Sequence, residues 1–109
     1  MATTYKVLGQ VNPSATTATT LYTVPSATQT VVSTVIICNQ SVSNATFRIA
    51  VRPGGASLAA EHYVAYDVAV GGSDSTALTL GLTLNATDVV TVYASTATVS
   101  FSAYGSEIA

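Results

Sequence analysis

Apolar, mostly β-branched residues alternate with polar turns along the chain, and the stretch 30–52 shows this pattern most clearly. In its second arm, Phe47, Ile49 and Val51 occupy every second position, the period of a strand with one buried face. The polar segment 39–44 before this arm is rich in residues that hydrogen-bond their own backbone, which is typical of a connecting loop. We therefore expect 30–52 to form a central hairpin, to which the other strands are added.

The first arm of this hairpin is apolar on both sides. Strict alternation predicts one set of side chains on each face of the strand: Val32, Ile36 and Cys38 on one, and Val31, Val35 and Ile37 on the other. Such a strand belongs in the interior of a sheet or beneath a subunit partner. Cys38 is the only cysteine, so no intrachain disulfide can form, and we expect its thiol to act as a small apolar group of the core.

Further segments carry the strand pattern and are separated by turns rich in Pro, Gly, Asn and Asp: 4–11, 19–24, 62–70, 75–84, 89–94 and 97–104. Within 62–70, alternation places Tyr66 on the same face as the neighbouring valines, and Tyr63 with Asp67 on the opposite face. Within 75–84, Gly81 predicts a bend or bulge between leucine-rich halves.

Turn signals at this spacing are expected of an antiparallel sandwich, a jelly roll or a small barrel. We predict an all-β chain folded as a single antiparallel β-sandwich, jelly-roll-like, with about eight short strands. One domain is expected to span 1–109, with 1–18 forming an N-terminal strand and link, or an arm.

Charged residues make up only 7% of the chain, against about 25% in ordinary soluble domains, so an unusually neutral surface is predicted. A monomer with so few charges would show bare sheet edges and apolar patches to water. We therefore expect a homo-oligomer or a larger assembly.

Charge and hydropathy argue against two classes of partner. The net charge is −2, and Lys6, Arg48 and Arg52 are the only Lys and Arg, so no nucleic-acid partner is expected. No apolar run approaches the roughly 18 residues of a spanning helix, so no membrane partner is expected. The stretch 1–10 lacks the apolar region of a signal peptide, which predicts synthesis and assembly inside a cell.

Glu61, His62 and Asp67 form the one grouping that resembles a catalytic or metal site. A strand would send Glu61 and His62 to opposite faces, and the sequence has no second histidine to complete a metal site. It also has no GxSxG motif of a hydrolase nucleophile. We predict no catalytic, metal-binding or cofactor-binding residues, no cofactor and no enzymatic activity.

Four residues are candidates for contacts between subunits: Tyr63, Tyr93, Arg48 and Arg52. The two tyrosines fall on faces opposite the Val and Leu sets, and tyrosine supplies a large amphipathic contact area at low entropic cost. Core packing against a second sheet is the alternative for them. The two arginines share the polar face of one strand, where they could pair with acidic residues of a neighbouring subunit or keep a sheet edge soluble.

Several segments resemble small β-rich virion proteins of tailed bacteriophages. They are Leu21–Pro25 (LYTVP), the strand that finishes in Ile37–Asn39, 46–51 (TFRIAV), and the closing pair 82–95 and 99–108. The resemblance covers about residues 19–108 and consists of strand and turn patterns without a catalytic signature. It therefore defines no functional residues that could be carried over to this chain.

The resemblance implies a structural part of a virion, assembled in the host cytoplasm. The leading expectation is a capsid decoration or cement protein, with a homotrimer favoured, that binds the major capsid protein and stabilises the assembled head. A tail, baseplate or fibre-attachment protein, with a tail protein as its partner, is the alternative. A carbohydrate-binding β-sandwich module is an alternative of another class, although the chain has no Trp to stack on sugars.

Overall fold

The computed structural model describes residues 2–109, which form eight β-strands and two short 3₁₀ turns. The strands are β1 (Thr3–Val11), β2 (Thr19–Thr23), β3 (Gln29–Asn39), β4 (Ala45–Arg52), β5 (Tyr63–Val70), β6 (Ser75–Leu84), β7 (Val89–Ala94) and β8 (Val99–Ile108). The 3₁₀ turns, Pro53–Gly55 and Ala60–His62, lie between β4 and β5. Gly54 and Gly55 both adopt positive φ, as the Pro-Gly-Gly sequence predicts.

The strands form two four-stranded antiparallel sheets, which we call the first sheet (β1-β8-β3-β6) and the second sheet (β2-β7-β4-β5). The chain crosses from one sheet to the other at every connection except that between β4 and β5. The predicted all-β, antiparallel sandwich is therefore confirmed, and this interleaving of its strands is that of a jelly roll.

The predicted central hairpin is wrong. β3 lies in the first sheet between β8 and β6, whereas β4 lies in the second sheet between β7 and β5. The polar segment 40–44 is therefore a corner between the sheets. Asn39 holds this corner, because its side chain is buried and its Nδ2 donates to Ser43 O at 2.8 Å and to Gly71 O at 3.3 Å. The bond to Gly71 comes from tertiary packing, which a local turn motif does not encode.

β3 is an interior strand, as predicted, but its faces depart from strict alternation. Between Val32 and Thr34 the strand advances two residues while β8 advances one, so Ser33 is an extra residue that reverses the parity of the strand. Opposite it, β6 advances three residues, from Leu82 to Thr79. The fully buried positions are Val32, Val35 and Ile37, while the partly exposed ones on the outer face are Val31, Ile36 and Cys38. The prediction that Cys38 belongs to the core is therefore wrong.

The hydrophobic core lies between the sheets and centres on two phenylalanines. Phe47 of β4 and Phe101 of β8 meet edge to face, with ring centroids 6.2 Å apart and an interplanar angle of 74°. Phe47 and Ile49 are 0% exposed, which confirms their predicted inward positions, whereas Val51, predicted on the same face, is only partly buried. On β8, Val99, Phe101 and Ala103 are also 0% exposed. Strands with regular alternation thus place their apolar sets as the sequence predicts.

A polar link joins the sheets near the end of β8. Tyr22 of β2 donates its hydroxyl to Glu107 Oε2 at 2.5 Å and shares a 2.8 Å hydrogen bond with Thr30. Lys6 Nζ lies 3.1 Å from the other carboxylate oxygen of Glu107. Burial, together with the bond to Glu107, raises the pKa of Tyr22 to about 12, and the bond from Tyr22 holds the pKa of Glu107 below its ordinary value.

The substitution Glu107→Gln is expected to lower stability at neutral pH. Because the pKa of Glu107 is lower in the folded than in the unfolded chain, the carboxylate stabilises the fold above the unfolded pKa. That contribution is lost as the pH falls through the folded pKa. The urea midpoints of wild type and variant should therefore differ at neutral pH and converge only when the pH has fallen below the lowered pKa of the folded carboxyl group. A difference that stays constant at low pH would contradict this role of the carboxylate.

Candidate functional site

The outer face of the second sheet carries a group of polar and aromatic side chains that we call the tyrosine–arginine cluster: Arg48, Tyr63, Tyr66, Asp67 and Tyr93. Arg48 of β4 and Tyr93 of β7 are register partners, and the other members belong to β5. The guanidinium carbon of Arg48 lies 4.2 Å from the ring centroid of Tyr66 and 4.3 Å from that of Tyr93. The cation therefore contacts two aromatic rings at cation–π distance.

Asp67 neutralises the arginine of the cluster. Arg48 Nε donates to Asp67 Oδ1 at 2.6 Å, and Nη2 donates to Oδ2 at 3.2 Å. This is the bidentate ion pair that the planar guanidinium group makes with a carboxylate. These bonds raise the pKa of Arg48 and lower the pKa of Asp67 from their ordinary values. With the Arg48 side chain 22% exposed and that of Asp67 47% exposed, the pair is a fixed, neutral feature at the surface.

An irregularity in β5 brings Tyr66 and Asp67 to the same arginine. Phe47 pairs with Val68 and Ile49 pairs with Ala65, so β5 carries an extra residue between these points. Asp67 has a φ of 50°, in the left-handed region that Asp tolerates better than most residues. The predicted alternation of 62–70 is therefore wrong, because a bulge changes which face the following side chains occupy.

A cleft of about 650 Å³ lies beside the cluster and is lined by Leu58, Ala59, Ala60, Tyr63 and Tyr66. The rings of Tyr63 and Tyr66 meet edge to face, with centroids 4.9 Å apart and an interplanar angle of 85°. Tyr66 is 57% exposed and Leu58 is 39% exposed, so aromatic and aliphatic surface is open to a partner here. The cleft joins the tyrosine–arginine cluster to the 3₁₀ turn before β5.

Three of the four candidate interface residues come together in the structure. Arg48, Tyr63 and Tyr93 all belong to the cluster, and neither tyrosine is among the buried residues of the core. Arg52 lies on the same face of β4 but outside the cluster. Its Nε donates to Thr91 Oγ1 at 3.0 Å, and its Nη1 donates to the carbonyl oxygens of 55 and 56, so it braces the turn after β4.

Neither arginine keeps a sheet edge soluble, because β4 is an interior strand of the second sheet. Sequence reasoning also missed Tyr66 and Asp67 as members of the site, since alternation separated them. The available signal was Asp67 itself: Asp is depleted in strands and tolerates positive φ, so it marks a position where a bulge can form.

The residues around His62 do not assemble as an acid–base site. His62 Nδ1 accepts a hydrogen bond from the Ala59 amide at 3.0 Å, which closes the 3₁₀ turn beside the cleft. Asp67 is engaged by Arg48 instead. Among residues 2–109, no three His, Cys, Asp or Glu side chains are grouped closely enough to hold a metal ion.

The sequence matches no protein-family model and no curated protein. The described part of the chain also has no helix that is long and apolar enough to cross a membrane. Because a fold by itself does not define a function, the chemistry of the tyrosine–arginine cluster has to carry the functional argument.

Proposed function

We propose that this chain is a virion structural protein, and specifically a capsid decoration protein that binds assembled capsid subunits of a tailed bacteriophage through the tyrosine–arginine cluster. The observation that carries the proposal is the composition of this cluster and the contacts among its side chains. Tyrosine and arginine are the residues most enriched at the energetic centres of protein–protein interfaces. Here they stand on paired strands, stacked and ion-paired before any partner arrives.

Pre-organisation of this kind suits binding between proteins. Arg48 and Tyr66 are already ordered, so little side-chain freedom remains to be lost on association. The Arg48–Asp67 pair has already neutralised its own charges, so covering it does not strand an unpaired ion. The cluster offers contact area and hydrogen-bonding groups without a reactive centre.

Two further features support a structural role in a virion. Eight-stranded jelly rolls occur in viral capsid domains, although they also occur in lectins and enzymes. The resemblance of 19–108 to small virion proteins points to the same class. Many copies arrayed on a symmetric shell would also let modest contacts add through avidity.

The location is tested by counting copies of the chain in purified particles against the major capsid protein, with quantitative mass spectrometry. Copies comparable to the capsid subunit are expected for a decoration protein. A handful of copies per particle would move the protein to the tail, baseplate or a fibre. Absence from purified particles would overturn the virion proposal.

The role of the cluster is tested by adding purified protein to particles that lack the chain. Tyr66→Ala is expected to weaken binding at least about tenfold, because loss of a central tyrosine commonly costs more than 1.4 kcal/mol. Val42→Ala is the matched control, since Val42 is 89% exposed in the corner 40–44, away from the cluster. Equal binding by the two variants would exclude the cluster as the contact surface.

A carbohydrate-binding module is the second candidate, and the cleft is the observation that favours it. Tyr63 and Tyr66 expose aromatic surface at a concave site, which is what stacking on a sugar ring requires. A glycan array distinguishes the two functions. Specific glycan binding that Tyr66→Ala abolishes, in a protein missing from particles, would replace the virion proposal by this one.

A further inference from the structure

The outer face of the first sheet has an unusual chemical make-up, and we call it the neutral face. Its larger outward side chains are Tyr5, Val7, Val31, Ile36, Cys38 and Tyr104, with Ser and Thr between them. Tyr5 is 83% exposed and Val7 is 48% exposed, the largest apolar exposures within the sheets apart from Tyr66. This surface is covered by no other part of residues 2–109.

Lys6 is the one charged residue of 2–109 that borders the neutral face, where it lines a hollow among β1, β8 and β3. Arg48, Arg52 and Asp67 lie on the second sheet, and the other acidic residues except Glu107 lie in turns. Lys6 belongs to β1, but its ammonium group bonds Glu107, whose other oxygen is bound by Tyr22 of the second sheet. The polar groups that remain on the face are hydroxyls and the Gln10 amide, which bonds Ser102.

The neutral face also carries a projection beside a hollow. A shallow hollow of about 570 Å³ lies among β1, β8 and β3, and its lining includes Val31, Tyr104 and Gly105. Gly105 cannot be replaced without moving the chain, since a Cβ there would lie 1.9 Å from Val31 O. Tyr5 borders the hollow and stands out from the sheet.

From these features we infer that two copies of this chain associate face to face through their neutral faces, with Tyr5 of each copy packed against the hollow of the other. In a two-fold contact the same patch meets itself, so a charge on the axis faces its own copy, and a charge off the axis is buried unpaired unless the patch also carries an opposite charge. The neutral face avoids both costs, because its one bordering charge, Lys6, is already paired with Glu107. A projection and a hollow on one face are self-complementary under the same symmetry.

The size of the face fits this partner. Four strands spaced about 4.8 Å apart and about nine residues long present roughly 600 Å² of flat area, and the corrugated accessible surface is larger. A standard interface buries about 800 Å² on each partner. A charged partner would gain no complementary charges here, which favours a second copy over an acidic or basic protein.

The association does not depend on the proposed virion function. Because the neutral face and the tyrosine–arginine cluster lie on opposite sheets, a face-to-face dimer leaves both clusters open. A closed two-fold contact joins two copies, whereas the sequence favours a trimer.

Sedimentation velocity over a concentration series up to the millimolar range tests the inference. Wild type is expected to change from 11.0 kDa to twice that mass as concentration rises. Tyr5→Arg places a like charge on both partners and should shift the midpoint to at least about tenfold higher concentration, equivalent to 1.4 kcal/mol. Val42→Arg adds the same charge in the corner 40–44 and should leave the midpoint unchanged; circular dichroism checks the fold of both variants.

Cys38 provides an independent readout, because the only cysteine of the chain lies on the neutral face and is partly exposed. Its alkylation by iodoacetamide should slow as wild type associates and stay fast in Tyr5→Arg. Three outcomes would overturn the inference: a wild type that stays monomeric at every concentration, a measured mass of three chains, or a dimer that Tyr5→Arg leaves intact. A wild-type protein that dimerises but does not bind particles would instead contradict only the proposed function.

Discussion

Replacement of Phe101 by alanine is expected to lower the free energy of unfolding by about 3–5 kcal/mol. The ring is 0% exposed and meets Phe47 of the opposite sheet edge to face, so its removal opens a cavity where the sheets are joined. The backbone around it is held in β8, between β1 and β3, and can collapse only slightly into the space. The free-energy cost of the lost contacts and the cost of the residual cavity therefore add.

The measurement is equilibrium urea unfolding, followed by circular dichroism. The melting temperature should fall in parallel, by about 4–8 °C for each kcal/mol in a domain near this size. Phe101→Leu should lose clearly less, because it refills much of the volume. Ser102→Ala changes the next, outward-facing residue and should stay within about 0.5 kcal/mol. An alanine variant as stable as wild type would contradict the placement of Phe101 in the core.

Asn39→Leu is expected to cost about 3 kcal/mol, because it removes the hydrogen bonds of a buried side chain and leaves their partners, among them the buried carbonyl oxygen of Val70, without that contact. Asn39 is 1% exposed, and its Nδ2 donates to Ser43 O at 2.8 Å. Its Oδ1 accepts from the Ser41 amide and from the Thr98 hydroxyl, both at 3.1 Å. Leucine has a similar volume but can make none of these bonds, so groups in three loops lose a partner at once.

Gln40→Leu is the matched control, since Gln40 is exposed and precedes the same corner. Urea unfolding should show a loss of no more than about 0.5 kcal/mol for it. Hydrogen exchange should locate the effect of Asn39→Leu, with protection lost first at 40–44 and around 71. Equal stability of the two leucine variants would show that Asn39 does not hold the corner.

Part of the candidate site can be predicted from the sequence. Arg48 and Tyr93 lie on β4 and β7, whose mutual pairing has no register shift, so simple alternation puts them on the outer face correctly. Tyr66 and Asp67 were assigned to opposite faces, although both contact Arg48. Their placement depends on the bulge in β5, because one extra residue exchanges the faces of all that follow.

The same physical reason explains the error in β3. Six apolar residues along 31–38 fit either parity equally well, and the two polar residues, Ser33 and Thr34, are adjacent, so the pattern does not mark one face as polar. On β8, in contrast, Ser100 and Ser102 alternate with Val99, Phe101 and Ala103, and the inward set follows directly. Alternation is informative only where one face is polar and the register is unbroken.

The sequence by itself determined the strands, their approximate ends and the all-β class, because strand propensity and turn chemistry act over a few residues. It also determined that the chain has few charges to cover its surface. The tertiary structure alone decided which sheet each strand joins, where the bulges fall and which side chains surround Arg48. Strand pairing joins residues that are distant in the sequence, such as Thr3 of β1 and Ile108 of β8. Which strands pair therefore depends on how the whole sandwich closes around one core.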